Sequence, residues 1–343
     1  MDMPIRVLVV DDSAFARKVV REVLSKSPLI KVVGTARDGL DALEKVEELK
    51  PDVVTLDLVM PALDGLGFLR ALPSPAPRVV VVSVSPKDSE LAVAALQAGA
   101  FDVVLKPTPL ATEQLYELAG ELQRVVVAAG RAHAPSVPAT PGSPAEPPRS
   151  APLAATRRII AIGASTGGPQ AVTRILKAMP RNLPVPVAVV VHMPDGFTSA
   201  FAKRLDADCA LDVLEAYDGL ELRPGLAVVA RAGMHLKLAL RGGACIASLD
   251  IRPVTTPHHP SVDVLFESAA SAFGARVLAV VLTGMGSDGL EGARAVRAAG
   301  GVVLAEAESS SVVYGMPRCV AEADLASAVV PLERMADAML ARL

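Results

Sequence analysis

RVLVVDDSAFARKVVREVLS (residues 6–25) passes from an apolar run through two aspartates and a serine into a segment whose apolar residues recur at helical spacing. Arg6–Val10 is short and rich in Val, as a strand buried on both faces must be, and Ala14–Ser25 reads as an amphipathic helix. Repetition of this unit decides the fold. Strand-like runs at Ile30–Thr35, Val53–Leu56, Val79–Val84 and Val103–Leu105 alternate with helical patterns at Gly39–Leu49, Gly65–Leu72, Ser89–Ala98 and Thr112–Ala129. Five βα units predict a doubly wound parallel sheet, with functional groups at the carboxyl ends of its strands.

The alternation breaks at residues 131–155, which hold seven of the chain's 28 prolines and no apolar period. Such a segment cannot offset its ordering entropy by burial, so it reads as a semi-extended tether, with a proline-rich ligand for a partner groove as the alternative. The expected organisation is therefore a first domain at 1–128, a Pro/Ala-rich linker at 129–156 and a second domain at 157–343. Beyond the tether, strands are predicted at Arg158–Gly163, Val187–Val191, Val277–Leu282 and Val302–Leu304. Helices are predicted at Gln170–Met179, Ser261–Phe273, Asp288–Ala299 and Leu332–Leu340. Leu226–Ala230, His235–Leu240 and the segment around Cys245–Leu249 suggest an antiparallel hairpin. The fold class is α/β, with two mainly parallel-sheet domains.

Composition narrows the function classes. Of 343 residues, 51% are hydrophobic and 21% charged, ample material for two cores. Lys+Arg 34 against Asp+Glu 37 leaves no basic footprint for nucleic acid or anionic lipid, and aromatics at 3% leave few base-stacking platforms. Mean hydropathy is +0.42, yet no apolar run approaches the ~18 residues a membrane span needs. The start lacks the pattern of a secretory signal. Cys209, Cys245 and Cys319 are widely spaced and odd in number, as in a reducing compartment. The expectation is a cytoplasmic protein with neither nucleic acid nor membrane insertion.

Asp11 and Asp12 follow the first strand, Asp57 the third, Ser83 belongs to the fourth strand's end and Lys106 follows the fifth. Clustered carboxylates raise one another's pKa unless a cation sits among them, and an all-oxygen set suits Mg²⁺. Beside it a carboxylate can act as nucleophile toward a phosphoryl group, with Lys106 and Ser83 on its oxygens. Singly, each aspartate has a plainer reading as a helix N-cap.

In IIAIGASTGGPQAV (residues 159–172) a strand turns sharply into a helix, and Gly163–Gly167 fits G-x-S-x-G, presenting Ser165. A phosphate loop is the competing reading, but neither G-x-G-x-x-G nor GKS/GKT is present. A structural turn is another. Of five histidines, His192 ends the strand VAVVVH at the same rim, and His235 is a weaker rival base. Asp288, beyond the glycine-rich turn TGMGSDG, completes a nucleophile–base–carboxylate set, unless it only caps the helix it begins. The chain order Ser…His…Asp differs from that of α/β-hydrolases.

The first domain, through VVDDSAFAR, LDLVMPALDG, Ser83 and Lys106–Pro107, resembles the flavodoxin-like receiver domain of two-component response regulators. The resemblance implies phosphorylation of Asp57 by a partner histidine kinase, Mg²⁺ held by Asp11, Asp12 and Asp57, and switching through Ser83 and Phe101. Val59 departs from the polar residues common at that position. The second domain, through IGASTGGP, HMPDGFT, RAGMHL, PSVDVLFES, LTGMGSDG and SSVVYGMP, resembles the catalytic domain of the CheB family of chemotaxis protein-glutamate methylesterases. Here Val191 and the segment AEAESSS are local departures. The resemblance implies Ser165 as nucleophile, His192 as general acid/base and Asp288 as its orienting carboxylate. It also implies an oxyanion hole formed by the backbone around Met285, with Thr166 beside it. The implied reaction is hydrolysis of glutamyl methyl esters on chemoreceptor cytoplasmic helices, with deamidation of receptor glutamines and no cofactor for the ester step. The implied receiver controls access to the active site. An adaptor with a working receiver and a non-catalytic effector is the rival, and a DNA-binding regulator fails for want of a basic stripe.

Overall fold

The computed structural model describes residues 3–83, 88–106, 112–132 and 158–343 and divides the chain into two compact units, Met1–Ala132 and His133–Leu343. In the first, β1 (Ile5–Val10), β2 (Ile30–Ala36), β3 (Val53–Leu56), β4 (Arg78–Ser83) and β5 (Asp102–Leu105) form one parallel sheet in the order β2-β1-β3-β4-β5. Between them run α1 (Ala14–Ser25), α2 (Gly39–Leu49), α3 (Gly65–Ala71) and α4 (Ser89–Gln97). The first three start where the sequence provides a cap: the side chains of Ser13, Asp38 and Asp64 accept backbone N–H groups of the first turn. Val10 is in register with Leu56, and Leu56 with Val81, so Asp11 and Asp57 leave the sheet side by side. The closing helix α5 (Thr112–Arg131) runs two residues past Ala129, which is itself buried. The proline-rich stretch from His133 to Arg157 and Val84 lie outside the described residues.

The second unit is built on a seven-stranded parallel sheet. Its central strands are β6 (Ile159–Ala164), β7 (Val187–Val191), β13 (Val277–Val281) and β14 (Val302–Glu306). The first three are buried at every position, which is why their sequences are unbroken apolar runs. β8 (Asp212–Glu215) and β10 (Leu226–Val229) extend one side, and β15 (Ala328–Val330) closes the other, in the order β15-β14-β13-β6-β7-β10-β8. Packed around it are α6 (Gly168–Lys177), α7 (Phe197–Asp208), α8 (Val262–Phe273), α9 (Leu290–Ala298), α10 (Met316–Glu322) and α11 (Leu332–Leu340). A separate antiparallel sheet pairs β11 (His235–Arg241) with β12 (Ala244–Asp250) and β12 with β9 (Glu221–Leu222). Leu226–Val229 is thus not part of the hairpin: it pairs in parallel with β7 and β8, its four residues all buried in the sheet. The helix expected from Asp288 begins at Leu290, which frees Asp288 from capping it.

Candidate functional site

Two sites form at carboxyl edges, one in each unit. In the first unit, Lys106 lies between two carboxylates, its Nζ 2.8 Å from Asp11 Oδ2 and 2.7 Å from Asp57 Oδ2. Burial alone would lower the Lys106 ammonium, but these two bonds outweigh it and raise its pKa. Burial lifts the Asp57 carboxyl above its ordinary value, and the Asp11 charge adds to that against the pull of Lys106. Carboxylate oxygens of Asp11, Asp12 and Asp57 lie within 4.8 Å of one another, with Asp12 exposed. An all-oxygen set with this excess of negative charge fits a hard divalent cation. Phe101 is buried, and Ser83 ends β4 in register with Leu105, its side chain outside the described residues.

In the second unit, Ser165 follows β6, His192 follows β7 and Asp288 lies beyond β13, all at one edge of neighbouring parallel strands. The turn is tight. Gly167 adopts φ +76°, which favours glycine, and Gly168 N–H donates to Ser165 O at 2.6 Å. Ser165 N–H donates to Thr283 O at 3.0 Å, and His192 N–H to Ala164 O at 3.1 Å, so both residues are pinned through their backbones.

His192 Nε2 is 2.8 Å from Asp288 Oδ2. A carboxylate only accepts, so Nε2 carries the proton and Nδ1 keeps its lone pair. Nδ1 is buried without a hydrogen-bond partner, so its bond to the Ser165 hydroxyl is not formed in this structure. His258 stacks on the ring at 4.0 Å between centroids, 21° from parallel, fixing its plane.

Asp288 is held by more than its histidine. Its carboxylate also accepts Ser261 Oγ–H at 2.8 Å, Val262 N–H at 2.7 Å and Asp263 N–H at 3.0 Å, so it sits on the N-terminus of α8. Burial works to raise its pKa, but the His192 bond and charge and these donors overcome it and hold the carboxyl well below the usual range. Asp263 returns the favour to α9, accepting Gly292 N–H at 2.7 Å. Its own carboxyl, half-buried and facing the Asp288 charge, is pushed above its ordinary value by desolvation and by that charge.

His235, the rival base, is wholly buried and spent on structure. Its Nδ1 accepts Ser261 N–H at 3.1 Å and its Nε2 lies 3.0 Å from Pro253 O, which fixes the Nε2–H tautomer and leaves no nitrogen for catalysis. Burial lowers its pKa further. Met285 is half-buried on the loop after β13, and Thr166 is buried with its carbonyl accepting Thr283 Oγ1–H at 3.0 Å. That loop is pressed on Ser165. A Cβ added to Gly284 would stand 2.7 Å from Ser165 Cβ. Sequence reading does not single out Ser261, Asp263 or His258 as site residues; Ser261, just before an apolar helical run, carries a legible signal only as an N-cap.

A receiver-like unit with a buried carboxylate at its sheet edge and an α/β unit that gathers a serine, a histidine and an aspartate at one edge define a response-regulator hydrolase. Residues 160–339 match the CheB methylesterase family model, and residues 7–119 match the response regulator receiver domain model. The chain is 62% identical over 338 residues to protein-glutamate methylesterase/protein-glutamine glutaminase 5 of Myxococcus xanthus, covering 97% of this chain and 96% of that protein. It is 43% identical to the Geobacillus kaustophilus protein of that designation, covering 98% of each. Among solved structures, the CheB methylesterase catalytic domain of Thermotoga maritima is similar, with TM-score 0.54 and 39% identity over 55% of this chain and all of that one. The chain belongs to the protein-glutamate methylesterase/protein-glutamine glutaminase family, carboxylic ester hydrolases with a receiver domain. Among the described residues no helix is long and apolar enough to cross a membrane.

Proposed function

We propose that the chain removes methyl groups from glutamyl methyl esters on the cytoplasmic helices of chemoreceptors, deamidates receptor glutamines at the same site, and is switched on by phosphorylation of Asp57. The observation that supports this best is the His192 ring. It is anchored to Asp288 through one nitrogen and offers a buried, unpartnered Nδ1 at the rim where Ser165 stands.

In this reading Nδ1 takes the Ser165 proton as Oγ attacks the ester carbonyl. The oxyanion is met by backbone N–H groups around Met285, with Thr166 beside them, each such donor worth on the order of 10²–10³ in rate. The proton on Nδ1 passes to the departing methoxide, releasing methanol. Water, deprotonated in turn by Nδ1, cleaves the glutamyl-serine ester and restores the enzyme; with glutamine as substrate the leaving group is ammonia. Asp288 steadies the imidazolium formed at each stage.

At the receiver, Asp57 is the nucleophile toward a phosphoryl group from a chemosensory histidine kinase, and Lys106 and Ser83 hold its oxygens. Asp11, Asp12 and Asp57 hold Mg²⁺, which when bound neutralises charge on the transferring phosphoryl group. Phosphorylation relieves a block on the esterase, and both partners place the protein in the cytoplasm. The test is methanol release from methylated receptor membranes with and without a small phosphodonor and Mg²⁺. Release should vanish in Ser165→Ala and lose its stimulation in Asp57→Ala. Release that survives Ser165→Ala would remove the serine mechanism, and no release from any receptor would favour an adaptor.

A further inference from the structure

One buried titratable group has no part in that chemistry. Glu306 ends β14 with its side chain wholly inside the protein. Its Oε2 accepts Thr283 N–H at 2.8 Å and its Oε1 lies 2.9 Å from Ser310 Oγ. Thr283 is the junction of the site. Its carbonyl accepts Ser165 N–H at 3.0 Å, its hydroxyl donates to Thr166 O at 3.0 Å and accepts Val313 N–H at 2.9 Å. The next residue, Gly284, donates to Val313 O at 3.0 Å and accepts Met316 N–H at 2.8 Å. Moving the Thr283 peptide therefore moves the nucleophile turn and the loop that leads to Met285 together.

We propose that Glu306 is a positioning residue of the esterase, which in its neutral form fixes the Thr283 peptide and through it the Ser165 turn and the oxyanion loop. This inference rests on the esterase reading above. Three observations carry it. No cation pairs with Glu306 among the described residues. The charged groups nearest it, Arg174 on α6 and Glu333 on α11, are spent on each other at 3.0 Å. Ser310 Oγ already accepts Leu332 N–H at 2.9 Å and has Ala307 O at 3.3 Å as an outlet for its own proton, so it can accept a carboxylic O–H from Glu306. Burial of a carboxyl without a cation favours its neutral form, and here it pushes Glu306 up to about 7 against the pull of the Thr283 N–H and Ser310 hydroxyl bonds, Glu333 adding to the rise and Arg174 opposing it. Ionisation would place an anion behind the loop where the oxyanion develops, against the transition state.

The test is a pH series of kcat and KM from pH 6 to 9 on the full chain, with methylated receptor membranes and a fixed phosphodonor. It compares wild type, Glu306→Gln, Glu306→Ala and Ser165→Ala. Glu306→Ala should lower kcat at least tenfold with KM nearly unmoved, and Glu306→Gln should recover most of that loss at pH 6. Above pH 7 the Gln variant should outpace wild type by roughly fivefold, because it cannot ionise. Serine-dependent release with superimposable profiles for wild type and Glu306→Gln would overturn the inference alone, even where the Ala variant does not fold. Release that survives Ser165→Ala would overturn the esterase reading and this inference with it.

Discussion

Replacing Asp288 by Asn tests the hydrogen-bond logic of the triad most directly. The carboxylate accepts four bonds, from His192, Ser261, Val262 and Asp263. An asparagine brings one acceptor oxygen and an NH₂. Val262 N–H donates to Oδ2 and Asp263 N–H to Oδ1, so one of them meets the NH₂ in either orientation, and with the oxygen toward Asp263 N–H and Ser261 Oγ–H the NH₂ faces His192. Nε2 must then accept, which moves the ring proton to Nδ1 and removes the lone pair meant for Ser165. The same tautomer error costs about 10⁴ in kcat in serine hydrolases, or ~5.5 kcal/mol at the transition state. Stability should change far less. At least one donor of the α8 end meets an NH₂, at about 1–3 kcal/mol, but Asp263 no longer faces an anion and gains in return. The depressed carboxyl of Asp288 contributes stability that is present above its ordinary pKa and lost as pH falls through the lowered one, so the variant should lack that acid-side loss. The assays are single-turnover methanol release at pH 7.5 and denaturation from pH 7 down to pH 2. A variant within tenfold of wild type in kcat would refute the assignment of Nδ1 as the base.

Gly284→Ala should reduce kcat about 10²-fold with the fold intact by circular dichroism, because its Cβ would stand 2.7 Å from Ser165 Cβ and 3.0 Å from Ser165 N and press on Met316 Sδ. In the receiver, the raised Asp57 carboxyl contributes stability that is lost as pH rises through its folded pKa. Mg²⁺ at pH 7.5 should therefore raise the receiver's melting transition, and the gain should shrink in Asp57→Asn, as calorimetry of the full chain would register. Equal Mg²⁺ stabilisation in both would place the cation elsewhere.

Both sheets were legible because parallel strands buried on both faces must be written as apolar runs, and Val187–Val191 or Val277–Val281 admit little else. The peripheral elements were not. β8 alternates exposed and buried residues within four positions, β9 has two residues, and β15 is only partly buried, so none carries a periodic signal. Leu226–Val229 misled for the opposite reason. A buried run next to a real hairpin looks like its third strand, and only tertiary pairing assigns it to the larger sheet. At the site, Ser165, His192 and Asp288 were visible as residues ending strands, whereas Glu306 was hidden because the same apolar context made its carboxyl look like the first residue of a loop.

Asp288 shows why a plain reading and a catalytic one need not compete. As a cap it was expected to serve the helix it precedes; instead it caps α8, contributed from a segment 26 residues earlier. The geometry follows from the sheet order β13-β6-β7. His192 and Asp288 leave strands on either side of β6, so they can meet only above its end, where the N-terminus of α8 stands. That helix comes close because Gly163 and Gly289 have no Cβ: one on Gly289 would lie 2.9 Å from Val262 Cγ1, and one on Gly163 would overlap the same methyl. The first glycine of G-x-S-x-G here admits a helix, and the helix end holds the carboxylate that anchors the His192 ring. A dipole end, three donors and the His192 Nε2–H all favour the charged form of Asp288, so the charge that stabilises the fold at this point is the one that steadies the imidazolium in the proposed mechanism.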